Sequence, residues 1–528
     1  MTAAAIHLAV IDRSAAASAL DAGLAIAARA AGLTFVALPA PIVAEGAIVD
    51  GFRDQPRVAW ASGELTLAGV GCARELRGAG PGRWDELVRG ARALDRGAMT
   101  AVIGGEPAAL AALGPARPRL VGGAAFAPGA ADRAPWTGFG DAWFMLPRWT
   151  YVRDGARAQL VLAVDARDAG DARRWHDELA RHHAAFAAPP ARPQPAPPLI
   201  ELQRASAAQW RDQIIAITDA IARGECSKIV AARTCTVALA GPVRAADLLA
   251  ALDHRHADCV RVLVQPPGAG ALIAATPEQL IRRDGELVWC DALAGTRSIP
   301  AGGTAHGRDD ATGARAARDR LIGLASAELV ASDKDRVEHD LVVQAIHAAL
   351  ADCAEVDAPA APDVRVLRHV VHLHTPFRAR LRAPRHVLEL VARLHPTPAV
   401  GGTPHELAID WIRSREPAAR GWYAAPVGWF DLDGNGEFAV AIRSGVVAGN
   451  RAYLWAGAGI VAGSDPDREL AETETKLRVI LGALGVADPE GRDDPDGPDG
   501  DGEAGEPAAG GEGAAGEADR RSSIEAAR

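Results

Sequence analysis

Three stretches of the chain carry apolar side chains at the three- and four-residue spacing of an amphipathic helix. They cover residues 207–223, residues 332–350 and the stretch from Pro466 to Leu484. Gly224, a residue type that often ends helices, follows the first stretch, and Asp465, a favourable N-cap, precedes the third. The pattern therefore predicts three helices, each burying one apolar face.

Shorter apolar runs rich in β-branched residues predict strands around these helices. The runs cover residues 226–233, 261–265, 271–275 and 287–292. After residue 443 the pattern predicts two more strands, a glycine-rich bend at residues 456–459, and then the third helix. Glycine in such a bend would let another group approach the backbone closely.

Residues 431–436 read Asp-Leu-Asp-Gly-Asn-Gly and resemble the start of an EF-hand calcium loop. That loop needs an acidic ligand at its twelfth position, which is Ile442 here. The flanking residues also follow a strand pattern rather than a helical one. We therefore predict a hairpin turn at residues 433–436.

Two of the predicted helices carry paired carboxylates. Asp335 and Glu338 lie three residues apart, as do Glu469 and Glu472, so each pair projects from one face of its helix. Two such helices can meet around one hard cation, and Mg²⁺ prefers oxygen ligands of this kind. A solvated acidic helix face gives the same pattern, so the spacing leaves both interpretations open.

Composition divides the chain into four regions. Residues 1–187 mix short apolar runs with polar, glycine and proline residues, as in an α/β segment. Residues 188–199 are proline-rich and predict an extended connector, and residues 200–485 carry the clearest periodicity. Residues 486–528 are acidic and almost free of large apolar side chains, so we expect a disordered tail.

The overall composition indicates a soluble globular protein, with 49% hydrophobic and 23% charged residues. A net charge of −10 argues against a nucleic-acid partner. The six cysteines form no Cys-x-x-Cys pair, which favours a reducing compartment over a disulfide or zinc framework. No apolar run is long enough for a membrane span and no secretory leader pattern is present, so we expect a cytoplasmic protein, most simply a monomer.

Eight segments occur in an order that resembles one enzyme family, the chorismate-utilising enzymes, and most closely its isochorismate synthases. The segments are SKIVAAR (227–233), ATPEQL (275–280), DALAGT (291–296), SDKDRVEHDLVV (332–343), HLHTP (372–376), HPTPAVGGTP (395–404), GWYAAPVGWFDLDGNGEFAVAIRSG (421–445) and AGAGIVAGSDPDRELAETETKL (456–477). The resemblance implies an α/β (α+β) fold, a large sandwich of two antiparallel sheets with outer helices. It also implies that residues 1–187 are the divergent half of the same fold and that the proline-rich stretch is a loop.

The resemblance assigns chemical roles. Lys228 would be the general base that takes a proton from water attacking ring carbon C2 of chorismate, which requires a neutral amine. Glu278 would be the general acid for the departing C4 hydroxyl, which requires a raised pKa. Glu338 and Glu472 would bind Mg²⁺ directly, with Asp335 and Glu469 holding metal-bound waters.

The resemblance also implies a set of substrate contacts. Arg443 and Lys476 would bind the carboxylates of chorismate, assisted by backbone N–H groups near Gly295 and Gly457. His372 and Thr375 would line the ring pocket. No other cofactor and no nucleic-acid or membrane partner is implied, and the product could supply either menaquinone or siderophore synthesis.

Some features depart from the family or leave alternatives. Residues 301–316 look like a flexible insertion, and Ser298-Ile299-Pro300 replaces a usual Arg-Gly continuation. The nearest alternative function is a salicylate synthase, which also eliminates pyruvate; Ala292 at the start of Ala-Leu-Ala-Gly-Thr favours the isochorismate synthases. A catalytically silent chorismate-binding protein is a third interpretation, although retention of both Lys228 and Glu278 argues against it.

Overall fold

The computed structural model describes residues 12–94, 96–187, 196–299, 311–368 and 370–486. Backbone hydrogen bonds join the 22 strands of this described part into one network, so the two expected sheets share strands. The strands before residue 205 are β1 (Thr34–Pro39), β2 (Arg57–Ser62), β3 (Leu65–Gly78), β4 (Thr100–Ile103), β5 (Glu106–Ala108), β6 (Arg119–Ala124), β7 (Ala142–Asp154), β8 (Arg157–Val164) and β9 (Leu199–Arg204).

The remaining strands carry most of the segments that resemble the enzyme family. They are β10 (Lys228–Leu239), β11 (Val260–Gln265), β12 (Ala271–Thr276), β13 (Gln279–Asp284), β14 (Leu287–Ser298), β15 (Ala354–Asp357), β16 (Asp363–Val366), β17 (Val370–Leu381), β18 (Gly402–Thr403), β19 (Pro426–Asp431), β20 (Gly436–Val440), β21 (Ser444–Ala448) and β22 (Arg451–Ile460). The long pairs β3–β7, β10–β22 and β14–β17 run antiparallel, whereas β1 and β4 run parallel.

The helices pack against this network. They are α1 (Arg13–Ala27), α2 (Glu45–Asp50), α3 (Arg83–Arg92), α4 (Ala166–Ala169), α5 (Ala172–Ala187), α6 (Ala207–Ala222), α7 (Ala245–Arg255), α8 (Ala311–Ala331), α9 (Asp333–Ala351), α10 (Val387–Leu394), α11 (His405–Arg415) and α12 (Pro466–Ala483). The expected mixed α/β class with a large, mainly antiparallel sheet is confirmed. No helix of the described ranges is long and apolar enough to cross a bilayer.

The three helices predicted from periodicity are confirmed as α6, α9 and α12. The Asp465 side chain caps α12 by accepting hydrogen bonds from two backbone N–H groups, as an N-cap residue should. The hairpin turn is confirmed too, since β19 ends at Asp431 and β20 begins at Gly436. Asp431 Oδ1 accepts the backbone N–H groups of Asp433 and Asn435, so this carboxylate closes the turn.

One local prediction was wrong, and another was wrong in the part that the structure describes. Residues 456–459 form no bend, because they continue β22 and pair along β10, with Gly459 opposite Val230. The expected flexible insertion at 301–316 is helical from Ala311 onward, where α8 begins; residues 301–310 lie outside the described ranges. Most of the proline-rich connector and nearly all of the acidic tail also lie outside them, and Leu199 already belongs to β9.

Strands from the earlier and later parts of the chain pair with one another in the sheet. Trp60 on β2 pairs opposite Val262 on β11, and Leu120 on β6 pairs opposite Phe430 on β19. Residues 12–187 therefore supply strands to the same sheet as the later part of the chain. The arrangement fits the expectation that they are one half of a single fold.

Two buried apolar clusters lie on opposite faces of the sheet. Successive residues of β22 show this, because Leu454 and Ala456 contribute to one cluster and Trp455 to the other. Side chains alternate between faces along a strand, so a single strand can serve both cores. The cluster that contains Trp455 borders the cleft described next.

Candidate active site

A cleft with an empty volume of about 740 Å³ opens where α9 and α12 approach the sheet. Eight of the twelve predicted site residues line it: Glu278, Gly295, Glu338, His372, Arg443, Gly457, Glu472 and Lys476. The other four, Lys228, Asp335, Thr375 and Glu469, lie outside this lining. The fold thus gathers residues from positions almost 200 residues apart into one cleft.

Lys228 is the first residue of β10, and its side chain is completely buried. Its Nζ donates a hydrogen bond of 2.9 Å to Oε1 of Glu338, which lines the cleft. Burial alone would raise the pKa of Glu338, but the adjacent Lys228 charge and hydrogen bond hold that pKa below its ordinary value. This pair links the sheet to α9.

The backbone of Gly459 makes room for the pair. A Cβ atom at this position would overlap Glu338 Oε1 and would lie 2.8 Å from Lys228 Cε. No side chain larger than hydrogen fits there without moving one of the two. The glycine-rich sequence of β22 therefore serves close approach, although within a strand rather than a bend.

Glu278 follows β12 and is 5% exposed. Its backbone carbonyl accepts a hydrogen bond from Val440 N–H, which fixes the residue against the neighbouring strand. Burial raises the pKa of the carboxyl to about 7, despite the opposing effect of the positive charges on Lys228 and Lys476. A carboxyl group in this state can donate a proton near neutral pH.

The neighbours of His372 hold its imidazole ring in one tautomer. Arg443 Nη2 lies 3.2 Å from His372 Nε2, and because a guanidinium can only donate, Nε2 must be the unprotonated nitrogen. The protonated Nδ1 then faces the carbonyl of Gly295 at 3.2 Å and the hydroxyl of Thr296 at 3.1 Å. Burial and the Arg443 charge keep the pKa of His372 well below its ordinary value.

Backbone strain also concentrates at the cleft. Among the described residues other than glycine, Ala424 and Arg443 adopt a positive φ, at 57° and 47°. Both residues line the cleft. Left-handed conformations of this kind cost free energy and persist where the surrounding structure enforces them, often at functional sites.

The four carboxylates of α9 and α12 are each paired with a cation. The pairs are Asp335 with Arg297 (3.1 Å), Glu338 with Lys228 (2.9 Å), Glu469 with Lys334 (2.5 Å) and Glu472 with Lys476 (2.8 Å). Across the described ranges, no group of three or more His, Cys, Asp or Glu side chains is arranged to hold a metal ion. The acidic cluster is therefore close to neutral as it stands.

The remaining predicted residues take less direct positions. Thr375 is buried, and its hydroxyl lies 2.8 Å from His339 Nε2. Lys476 Nζ donates to the carbonyl of Gly457 at 2.8 Å, so the middle of α12 is tied to β22. The roles assigned to these residues stay predictions.

Several cleft residues were not singled out from the sequence. Tyr423 and Trp455 form an aromatic wall, with their rings stacked at 6.2 Å between centroids and 20° between planes. Val230 and Val400 add two apolar walls. Tyr423, Val230 and Val400 lie within segments that resemble the enzyme family and Trp455 directly precedes one, so proximity to those segments was the available signal.

Comparisons with known proteins agree with this architecture. A family model described as "Chorismate binding enzyme" matches residues 48–485. A protein of Pseudomonas aeruginosa named "Salicylate biosynthesis isochorismate synthase" is 37% identical over 448 residues, which are 83% of this chain and 87% of that protein. Isochorismate synthase MenF of Bacillus subtilis is 35% identical over 370 residues, covering 70% and 75% of the two chains.

Solved structures give the same result. The menaquinone-specific isochorismate synthase MenF from Escherichia coli superposes with a TM-score of 0.69 at 26% identity, covering 88% of this chain and all of that one. Anthranilate synthase component I from Streptococcus pneumoniae has a TM-score of 0.59 at 16% identity, over 80% and 92% of the two chains. At that identity the second likeness speaks only to the fold.

Proposed function

The chain belongs to the family of chorismate binding enzymes, and on this premise we propose that it is an isochorismate synthase, an isomerase. The reaction adds a hydroxyl group at ring carbon C2 of chorismate and removes the one at C4. The observation that carries the proposal is Glu278, a buried carboxyl whose pKa of about 7 suits a general acid and which lies within electrostatic range of the buried Lys228.

The proton transfers follow from these two groups. A water oxygen forms a bond to C2, the ring double bonds shift, and the C4–O bond breaks. Lys228, acting as a neutral amine, accepts the proton that the attacking water loses and becomes an ammonium group beside Glu338. Glu278 donates its proton to the departing C4 hydroxyl, which leaves as water, so atoms and charge balance.

Binding of the substrate uses the cationic side of the cleft. Arg443 is buried and hydrogen-bonds to His372 through one nitrogen, which leaves further donors for a carboxylate. Lys476 presents its ammonium beside Gly457 at the same cleft. We assign the two carboxylates of chorismate to these cations and to the N–H groups near Gly295 and Gly457.

The chemistry of the four carboxylates suits a Mg²⁺ ion, although in the described residues they are not gathered around one point and each of them faces a cation. Four carboxylates supply the oxygen donors that this ion prefers. Asp335 Oδ2 is buried and accepts no hydrogen bond, although Arg297 Nη2 lies 3.1 Å away, so it has capacity for a metal-bound water. Glu338 and Glu472 would hold the ion directly, and Asp335 and Glu469 through water. When bound, Mg²⁺ would offset the negative charge of the carboxylates and of the substrate.

Incubation of the purified chain with chorismate and Mg²⁺, followed by chromatographic separation of the products, tests the proposal. Isochorismate should accumulate and approach equilibrium with chorismate. Lys228→Gln should bind chorismate without converting it, because an amide cannot accept the proton. Salicylate forming as fast as chorismate disappears would assign the chain to the salicylate synthases, and no turnover at all would refute the proposal.

A further inference from the structure

Outside the cleft, the buried side chains of Glu416 and Arg420 form an ion pair that has no part in the chemistry above. Glu416 caps the end of α11, and Arg420 lies four residues later in the loop that leads to β19. Their side chains are 4% and 2% exposed. Arg420 Nε and Nη2 donate to the two carboxylate oxygens at 2.8 Å and 2.5 Å, a bidentate arrangement.

Arg420 also bonds to two separate walls of the cleft. Its Nη1 donates to the carbonyl of Val400, and its Nη2 to the carbonyl of Val230, each at 2.7 Å. Both valines line the cleft, whereas neither Arg420 nor Glu416 does. One guanidinium thus sets the distance between β10 and the loop before β18.

Further contacts extend this connection. Glu416 Oε1 accepts the N–H of Ala232 at 3.0 Å, so the carboxylate also holds β10. The backbone carbonyl of Arg420 accepts the N–H of Tyr423, which lines a third wall. The guanidinium lies 4.4 Å from the ring centroid of Phe126, and this ring covers it.

We propose that the Glu416–Arg420 pair is a positioning device that fixes the general base of this active site. Lys228 lies two residues before Val230 on the same strand, so both side chains face the same side and move together. The space for Lys228 is narrow, because the backbone of Gly459 on the opposite strand lies so close that even a Cβ atom there would contact the Lys228 side chain. A displacement of β10 by about 1 Å is enough to misalign a reacting group and to lower turnover ~10²-fold.

The proposal rests on the proposed function and is tested by the double variant Glu416→Leu/Arg420→Met. Removing both charges leaves no unpaired buried ion, and such replacements often preserve folding. We expect an unchanged circular dichroism spectrum, a chorismate Kd within about threefold of wild type, and a kcat lower by ~10²-fold. A folded double variant whose kcat stays within twofold of wild type would overturn the proposal.

Arg420→Lys covers the case in which the double variant does not fold. It keeps the charge but loses the bidentate geometry, and we expect a kcat ~10-fold lower at unchanged Kd; wild-type kcat here would also overturn the proposal. The matched control is Arg174→Met/Glu178→Leu, an i,i+4 pair on α5 with a buried carboxylate that bonds Trp149. It should lower Tm and leave kcat unchanged.

The two proposals fail in different ways. Absence of isochorismate from the wild-type reaction would refute the proposed function. Turnover by the wild type with equal kcat in the folded variants would refute only the positioning role.

Discussion

At the scale of single residues, burial decides which protonation state each group holds. Glu278 has its pKa raised from 4.5 to about 7 because its charged form is poorly solvated. Its acid form is the active one, so turnover should fall as pH rises through about 7. A kcat–pH profile between pH 5.5 and 9 checks this expectation, and a rate that keeps rising with no descending limb near 7 would contradict it.

The same pKa shift affects stability, with a definite sign. A carboxyl whose folded pKa exceeds its unfolded value stabilises the fold below pH 4.5, and that contribution disappears as pH rises through about 7. Relative to Glu278→Gln, the wild type should therefore lose roughly 3 kcal/mol of unfolding free energy between pH 4 and pH 8. Parallel urea titrations of the two proteins at both pH values would measure it, and equal pH dependence would be evidence against a buried neutral carboxyl.

Glu472 gives a second prediction at this scale. Removal of divalent ions by a chelator should abolish turnover and Mg²⁺ should restore it, because the substrate adds two negative charges to the carboxylate cluster. Glu472→Ala should stay inactive at any Mg²⁺ concentration. Asp467→Ala is the control, since Asp467 is an exposed residue of the same helix paired with Arg211. Full activity in excess chelator would rule out the metal.

At the scale of secondary-structure elements, the cleft constrains the composition of β22 at Gly459. Gly459→Ala should force Lys228 and Glu338 apart, since the new methyl group would overlap their contact. We expect turnover to fall by at least ~10-fold in a protein that still folds, as expected for a misplaced catalytic group. Kinetics of the purified variant with chorismate and Mg²⁺ provide the measurement.

Gly323→Ala is the matched control for that substitution. Gly323 lies in α8 with open space around its Cβ position, so alanine there should leave turnover unchanged and stabilise the helix by up to ~1 kcal/mol. Equal turnover in both alanine variants would show that the contact tolerates a methyl group.

The secondary-structure elements also show which parts of the fold could be predicted from the sequence pattern. Helix α9 is readable from its apolar stripe. The Asp335–Glu338 spacing predicts carboxylates on one face of the helix, but Asp335 pairs with Arg297 on β14, whereas Glu338 pairs with Lys228 on β10. The strand at residues 456–459 was misread because small residues suggest a bend locally, while the partner that keeps them extended, β10, lies more than 200 residues earlier. Only the pairing with β10 distinguishes an extended strand from a bend at these residues.

At the scale of the whole molecule, residues 12–187 supply strands that pair with the later part of the chain. A fragment of residues 200–486 would leave β11 without β2 and β19 without β6. Exposed strand edges of this kind promote aggregation. We therefore expect this fragment to be insoluble or aggregated, while residues 1–486 remain folded; size-exclusion chromatography of both would decide. A monomeric, folded short fragment would contradict the single-fold interpretation.

The same long-range pairing limits what the sequence could reveal about the site. The motifs predicted Lys228, Glu278 and the four carboxylates as site residues, but not which cation pairs with which acid. Arg420 was not predicted as a positioning residue, because its hydrogen bond to the Val230 carbonyl spans 190 positions and its loop has no periodic pattern. Ion pairs and hydrogen bonds between residues distant in sequence leave little trace in local composition. Helix faces and turns, in contrast, can be recognised from the local sequence.

The pairing of early strands with late ones also affects how the chain folds during its synthesis. During synthesis β6 is complete at Ala124, but its partner β19 begins only at Pro426, some 300 residues later. At about 5–20 residues per second the ribosome needs roughly 15–60 s to supply it. Throughout that interval β6 can pair with β7 along one edge, but its other edge lacks its native partner. The yield of folded protein in a cell would then be limited by aggregation of the incomplete chain rather than by the stability of the folded state.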